Sequence, residues 1–206
     1  MARSVSTLLM VWVLCTALPA SAQSAGAGKA DVSIVVGGWV SFAEPDSQPE
    51  PSFGEYVVGG VVTFAPISWV GIEGEVLAGL PRSQTLTYGS TKSLNAKSPP
   101  VFMDAVNLVI PFLGDQHHVV PFVTAGIGET TINRTRDVGQ ADTETFFTGN
   151  VGGGLKWYSA GRWGFRVDYR SFMTRSEAQA PGTFFGRELR KAQRVTGSVV
   201  VKLISR

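Results

Sequence analysis

The chain has 206 residues with 18 basic and 16 acidic side chains, a net charge of +2, and a single cysteine. Nearly balanced charge excludes the basic face that a nucleic-acid partner requires, and one thiol excludes a disulfide framework or a cysteine-ligated metal. Beyond the first 22 residues, no apolar run reaches the roughly 18 residues that a membrane-spanning helix needs.

The chain opens on Arg3, then the apolar stretch from Leu8 to Leu18, then Ala20-Ser21-Ala22. These are the charged, apolar and small-x-small parts of a secretory signal, so residues 1–22 are expected to be removed ahead of Gln23. Cys15 lies inside this segment behind Leu14, where lipoprotein processing wants a small residue, so no lipid anchor is expected. Residues 23–30 read as a flexible N-terminal segment, and residues 31–206 as one domain.

Along the domain helical periodicity is nearly absent and period-two alternation recurs, which predicts strands. Eight runs stand out, at 31–42, 53–65, 69–80, 101–112, 118–133, 143–158, 162–172 and 189–203. The links between them alternate in length: 43–52, 81–100, 134–142 and 173–188 are long and polar, while 66–68, 113–117 and 159–161 are tight. An even strand count with long loops at one end and short turns at the other predicts an all-β fold, an eight-stranded antiparallel up-and-down transmembrane β-barrel. Its short-turn end, with both termini, is expected in the periplasm.

Successive side chains of a strand point to opposite faces, so one face of each run should suit lipid. In the first run Val32, Ile34, Val36, Val40 and Phe42 oppose Asp31, Ser33 and Ser41; Gly37 is expected to face the lumen. In the second, Tyr56, Val58, Val62 and Phe64 oppose Glu55 and Thr63; in the third, Val70, Ile72, Val76 and Leu80 oppose Glu73 and Glu75. In the seventh, Trp163, Phe165, Val167 and Tyr169 oppose Arg166, Asp168 and Arg170. Aromatics on the lipid side fall into two groups, Phe64, Phe112, Trp157 and Trp163 by the short turns and Phe42, Phe102, Phe147 and Tyr169 by the long loops, as membrane-interface girdles do. Periodicity does not separate this arrangement from a soluble barrel with its apolar face inside. Asp104 falls among the lipid-facing positions, which predicts a bulge, a later start or a different register in that run.

The segment Asn107-Leu-Val-Ile-Pro-Phe112, a short turn and Pro121-Phe-Val-Thr-Ala-Gly-Ile-Gly128 resembles the bacterial outer-membrane β-barrel domain family, the OmpA/OmpX-like small barrels of about eight strands. Gly149-Asn-Val-Gly-Gly-Gly-Leu-Lys156 and Arg162-Trp-Gly-Phe-Arg-Val-Asp-Tyr-Arg170 strengthen the likeness. The resemblance implies residence in the outer membrane, contact with its lipid and insertion by the barrel assembly machinery. Members commonly end in an aromatic residue, whereas this chain ends Val201-Lys-Leu-Ile-Ser-Arg206. Gly126, Gly128, Gly152 and Gly154 suit a narrow interior in which large side chains interleave with small ones.

Eight charged residues are expected to point inward: Glu55, Glu73, Glu75, Lys156, Arg166, Asp168, Arg170 and Arg194. Both signs occur, which predicts a structural network of ion pairs filling the lumen. Glu73 and Glu75 could instead do acid–base work, and a narrow ion path is the transport alternative. His117 and His118 are the only histidines; neighbours on an extended segment diverge, so they read as polar turn residues and no metal site is expected. No catalytic or cofactor motif occurs, and neither an enzyme nor a bound cofactor is expected. A structural or surface-interaction role follows, with any extracellular ligand met by loops such as 81–100 or 173–188, the latter carrying Arg175, Phe184, Phe185 and Arg187.

Overall fold

The computed structural model describes residues 28–42, 52–88, 92–112, 118–135, 141–159, 162–175 and 189–204. The expected leader, residues 23–27, His117, and Phe184 with Phe185 lie outside the described residues. The described chain forms ten strands: β1 (Lys29–Phe42), β2 (Phe53–Ile67), β3 (Val70–Leu80), β4 (Ser83–Tyr88), β5 (Lys92–Lys97), β6 (Val101–Pro111), β7 (Val119–Thr135), β8 (Ala141–Tyr158), β9 (Trp163–Arg175) and β10 (Leu189–Ile204). Eight of them close a barrel in the order β1-β10-β9-β8-β7-β6-β3-β2, every pair antiparallel. Paired residues lead from Glu55 through Val40, Arg194, Arg170, Gly152, Thr124 and Val109 to Gly71. Gly71 lies beside the Phe64–Ile72 pair, so the circuit re-enters β2 about ten residues from its start. A stagger of that size tilts the strands by about 35–45°.

Every expected run is a barrel strand, with ends displaced by at most three residues. Shifts of two residues lengthen β7 and β8, so the link expected at 134–142 shrinks to 136–140, and Arg134 pairs with Asp142 inside the ladder. At the first turn β2 continues through Pro66 and Ile67, and Trp69 sits in the turn rather than in β3.

The expected loop 81–100 is corrected more deeply, because it contains the β4–β5 hairpin. Its register continues that of β3 and β6: Gly79 faces Val101, and Ser83 faces Lys97. The ladder is one long hairpin, interrupted where Pro81, Pro99 and Pro100 lack the N–H that pairing needs. The Gln84 side-chain amide ties the hairpin to the barrel rim, accepting from Gly54 N and donating to Gly54 O, each at 3.1 Å.

Which face meets which surroundings is settled by the side chains. Ile72, Val76, Val106, Leu108, Val123, Ile127, Val151, Leu155 and Val167 form an exposed aliphatic band around the outside. Phe64, Phe112, Trp157 and Trp163 rim it at one end, and Phe102, Phe147 and Tyr169 at the other. Eight charged side chains are buried inside, so the soluble alternative has the wrong polarity; an apolar surface this continuous belongs against lipid.

One face assignment fails. In β1 Val40 and Phe42 are fully buried and Ser41 is exposed, the reverse of the expectation. Opposite β10, Val35 faces Ser198 and Gly37 faces Gly197, so Val36 is an extra residue, a β-bulge. The extra residue inverts the inside–outside parity of the rest of the strand. Trp39 and Tyr56 therefore complete the long-loop girdle in place of Phe42, and a side chain built on Gly37 would meet nothing within 4 Å, unlike a lumenal position. Asp104 does face outward, with no shift of register on either side; β6 pairs without interruption to β3 and β7, and Asp104 stands opposite Glu129.

Candidate functional site

The lumen is the part of the molecule with chemistry to examine. All eight charged residues expected there are buried. Their elements place them by alternation alone: Glu73 and Glu75 on β3, Arg166, Asp168 and Arg170 on β9, Lys156 on β8, Arg194 on β10 and Glu55 on β2. Glycines opposite make the room. A side chain on Gly152 would come within 2.8 Å of the Arg170 Cγ, and one on Gly154 within 2.8 Å of the Asp168 Cβ.

Six of the eight form a ladder across the barrel. Arg166 grips Glu73 with both terminal nitrogens and Asp168 with Nε at 2.8 Å. Arg170 shares Glu73 and approaches Glu75 at 3.4 Å and Asp168 at 3.5 Å. Arg194 donates from Nη2 to both oxygens of Glu75, at 2.9 and 2.8 Å, and Thr196 donates to Asp168 at 3.0 Å. Three guanidiniums thus meet three carboxylates, and the ladder is neutral. Arg166 also lies over Phe122 and Arg194 over Phe172, each 4.8 Å from the ring centre, which gives the cations apolar walls they tolerate.

Toward the short turns, Lys156 pairs with Asp31 at 2.8 Å, and Tyr158 donates to the same carboxylate at 3.4 Å. Asp31 had a lumenal parity in the sequence, but nothing there revealed a partner 125 positions away. Thr63 joins this pair to the ladder, accepting from Lys156 and donating to Glu73.

Glu55 does not join the network, contrary to expectation. It is fully buried, yet among the described residues neither carboxylate oxygen has a hydrogen-bond partner. The Ser98 hydroxyl beside it is also held by the Arg82 backbone. The surroundings explain the isolation, since the long-loop half of the lumen is apolar. Phe42 stacks on Phe53 at 4.6 Å, and Val57, Leu77, Val101, Met103, Ile132, Phe146 and Phe172 fill the rest. The lumen is therefore two-storeyed, with its ion pairs in the middle and at the short-turn end rather than throughout.

No group of three or more metal-ligating side chains occurs among the described residues. His118 sits at the short-turn end with Nδ1 3.1 Å from the Tyr158 carbonyl. Glu73 and Glu75 are each locked to arginine and inaccessible to a substrate.

Solved structures share this architecture. The N-terminal β-barrel domain of Pseudomonas aeruginosa OprF aligns with 85% of this chain and 97% of its own, at 10% identity and a TM-score of 0.52. Neisserial surface protein A aligns over 85% and 97%, at 10% identity and 0.59. Outer membrane protein OprG of Pseudomonas aeruginosa aligns over 89% and 99%, at 13% identity and 0.51. Identities this low establish the fold and nothing finer. No curated protein matches the sequence. The outer membrane protein beta-barrel domain family matches residues 7–192, nearly the whole chain, and this protein belongs to that family and so to the outer membrane.

Proposed function

We propose that the protein is a closed scaffold of the outer membrane, which holds its long-loop end at the cell surface for interaction and neither passes solutes nor carries out catalysis. The observation that carries this reading is the neutral ladder of Arg166, Arg170, Arg194, Glu73, Glu75 and Asp168, which spans the lumen with side chains sealed from water. An eight-stranded barrel has an interior just wide enough for its own side chains to fill. Residues 1–22 would direct export, the assembly machinery would insert the barrel, and membrane lipid would surround the aliphatic band. The β4–β5 hairpin and the loops beside it are the surfaces left for an extracellular ligand, as loops on a rigid scaffold commonly are.

Planar bilayers test the proposal directly. The full-length barrel, its folding checked by heat-modifiable gel migration, is expected to give no discrete conductance steps. Unit steps whose size changes in Glu73→Gln would replace the scaffold by a narrow channel.

A further inference from the structure

Arg82 stands at the long-loop girdle, and its surroundings are built rather than incidental. Arg82 follows Pro81 at the joint between β3 and β4, and its backbone is held on both sides by buried Ser98. The Arg82 N–H donates to Ser98 Oγ at 3.0 Å, and the Arg82 carbonyl accepts from Ser98 N at 3.0 Å. The guanidinium lies 5.3 Å from the centre of the Trp39 ring and 5.7 Å from that of Tyr56, and these two rings meet edge to face at 5.2 Å. Trp39 in turn lies across Gly54, where any Cβ would collide with the indole. Among the described residues no carboxylate pairs with Arg82, whereas Arg166, Arg170, Arg194 and Lys156 all have one.

A guanidinium placed over aromatic rings is attracted through its face and keeps its N–H fork free at the edge, the geometry that grips phosphate with two bonds. Trp39 and Tyr56 are girdle residues on the lipid side, at the depth where headgroups lie. We propose that Arg82, set on Trp39 and Tyr56, is a binding site on the outer wall of the barrel for the phosphate of an outer-leaflet glycolipid headgroup. Its assignment to the outer leaflet rests on the surface orientation proposed above. Position selects lipid over a soluble anion, because the site opens sideways into the headgroup layer and not into the lumen.

The full-length barrel, folded into phosphatidylcholine vesicles containing diphosphoryl lipid A, or the same lipid A stripped of its phosphates, is extracted in mild detergent and weighed by native mass spectrometry. The wild type is expected to retain the diphosphoryl form over the stripped form, and Arg82→Gln to lose about tenfold of that preference, the size of one charge-assisted contact. Trp39→Leu, which keeps the charge and removes the stacking surface, is expected to lose part of it if Arg82→Gln folds poorly. Equal retention by folded wild type and Arg82→Gln would overturn the site. So would displacement of lipid A by millimolar inorganic phosphate, since the ligand would then be a soluble anion. Protease shaving of intact cells scores the orientation separately, so a periplasmic hairpin with intact lipid A binding would refute the orientation and leave the phosphate site standing.

Discussion

Glu55 and Glu75 point into the same lumen and are both withdrawn from water, but among the described residues only Glu75 meets a cation. Removing one partner from a buried pair leaves the other charge stranded, whereas removing a charge that has no partner relieves a desolvation cost. Glu75→Gln strands Arg194, whose remaining nitrogens Nε and Nη1 have no partner among the described residues. It is expected to lower stability by about 3–5 kcal/mol. Glu55→Gln keeps the shape and deletes the uncompensated charge, so it is expected to leave stability unchanged or raise it by about 1 kcal/mol. Urea unfolding of the folded barrels in lipid vesicles, followed by heat-modifiable migration, measures both. A loss in Glu55→Gln matching that of Glu75→Gln would mean that a cation holds Glu55.

At the scale of the strand, the bulge at Val36 decides which side chains fill the upper lumen. It turns Val40 and Phe42 inward and brings Trp39 out to the girdle. Deleting Val36 would bring Gly37 next to Val35 in a regular ladder, opposite Gly197 as before, and leave Phe42 on its stack with Phe53 and Trp39 in the girdle. The deletion is expected to keep the folded, heat-modifiable band, and its loss would show that Val36 does not occupy the bulge. This element also marks where the sequence stops being legible. In β3 and β9 the faces can be read because Glu73, Glu75, Arg166, Asp168 and Arg170 alternate with aliphatic and aromatic residues, and a charge has one tolerable side. From Val35 to Val40 no charge interrupts the run, both faces accept apolar groups, and an inserted residue leaves no trace in the pattern. The β4–β5 hairpin was hidden for a related reason: above the lipid its Ser, Thr and Lys composition carries no face to read, and its three prolines signal a break. For the lumen, the sequence disclosed which charges point inward but not their partners, because Lys156 and Asp31 or Arg194 and Glu75 meet through barrel closure across more than a hundred positions.

For the molecule as a whole the open question is whether charge or volume closes the barrel. Arg166 and Arg170 are among the largest fully buried side chains, and they stand in the charged layer beside the Lys156–Asp31 pair. If volume closes it, the signs of the charges are dispensable. Replacing Glu73 and Asp168 by Leu and Arg166 and Arg170 by Met removes two charges of each sign and leaves the Arg194–Glu75 pair intact. Well-packed apolar substitutes for buried ion pairs are often neutral or stabilising by about 1–4 kcal/mol, so this barrel is expected to fold, to unfold at equal or higher urea, and to remain silent in planar bilayers. Alanine at the same four positions keeps neutrality but empties the layer, and is expected to give small, steady conductance steps as water enters. The pair of variants separates the two causes, because both lack the ladder and only one lacks its bulk. Conductance in the Leu/Met variant would show that the ladder closes the lumen through its fixed charges, and silence in the alanine variant would place the seal higher, in the packed aromatics Phe42, Phe53, Phe146 and Phe172.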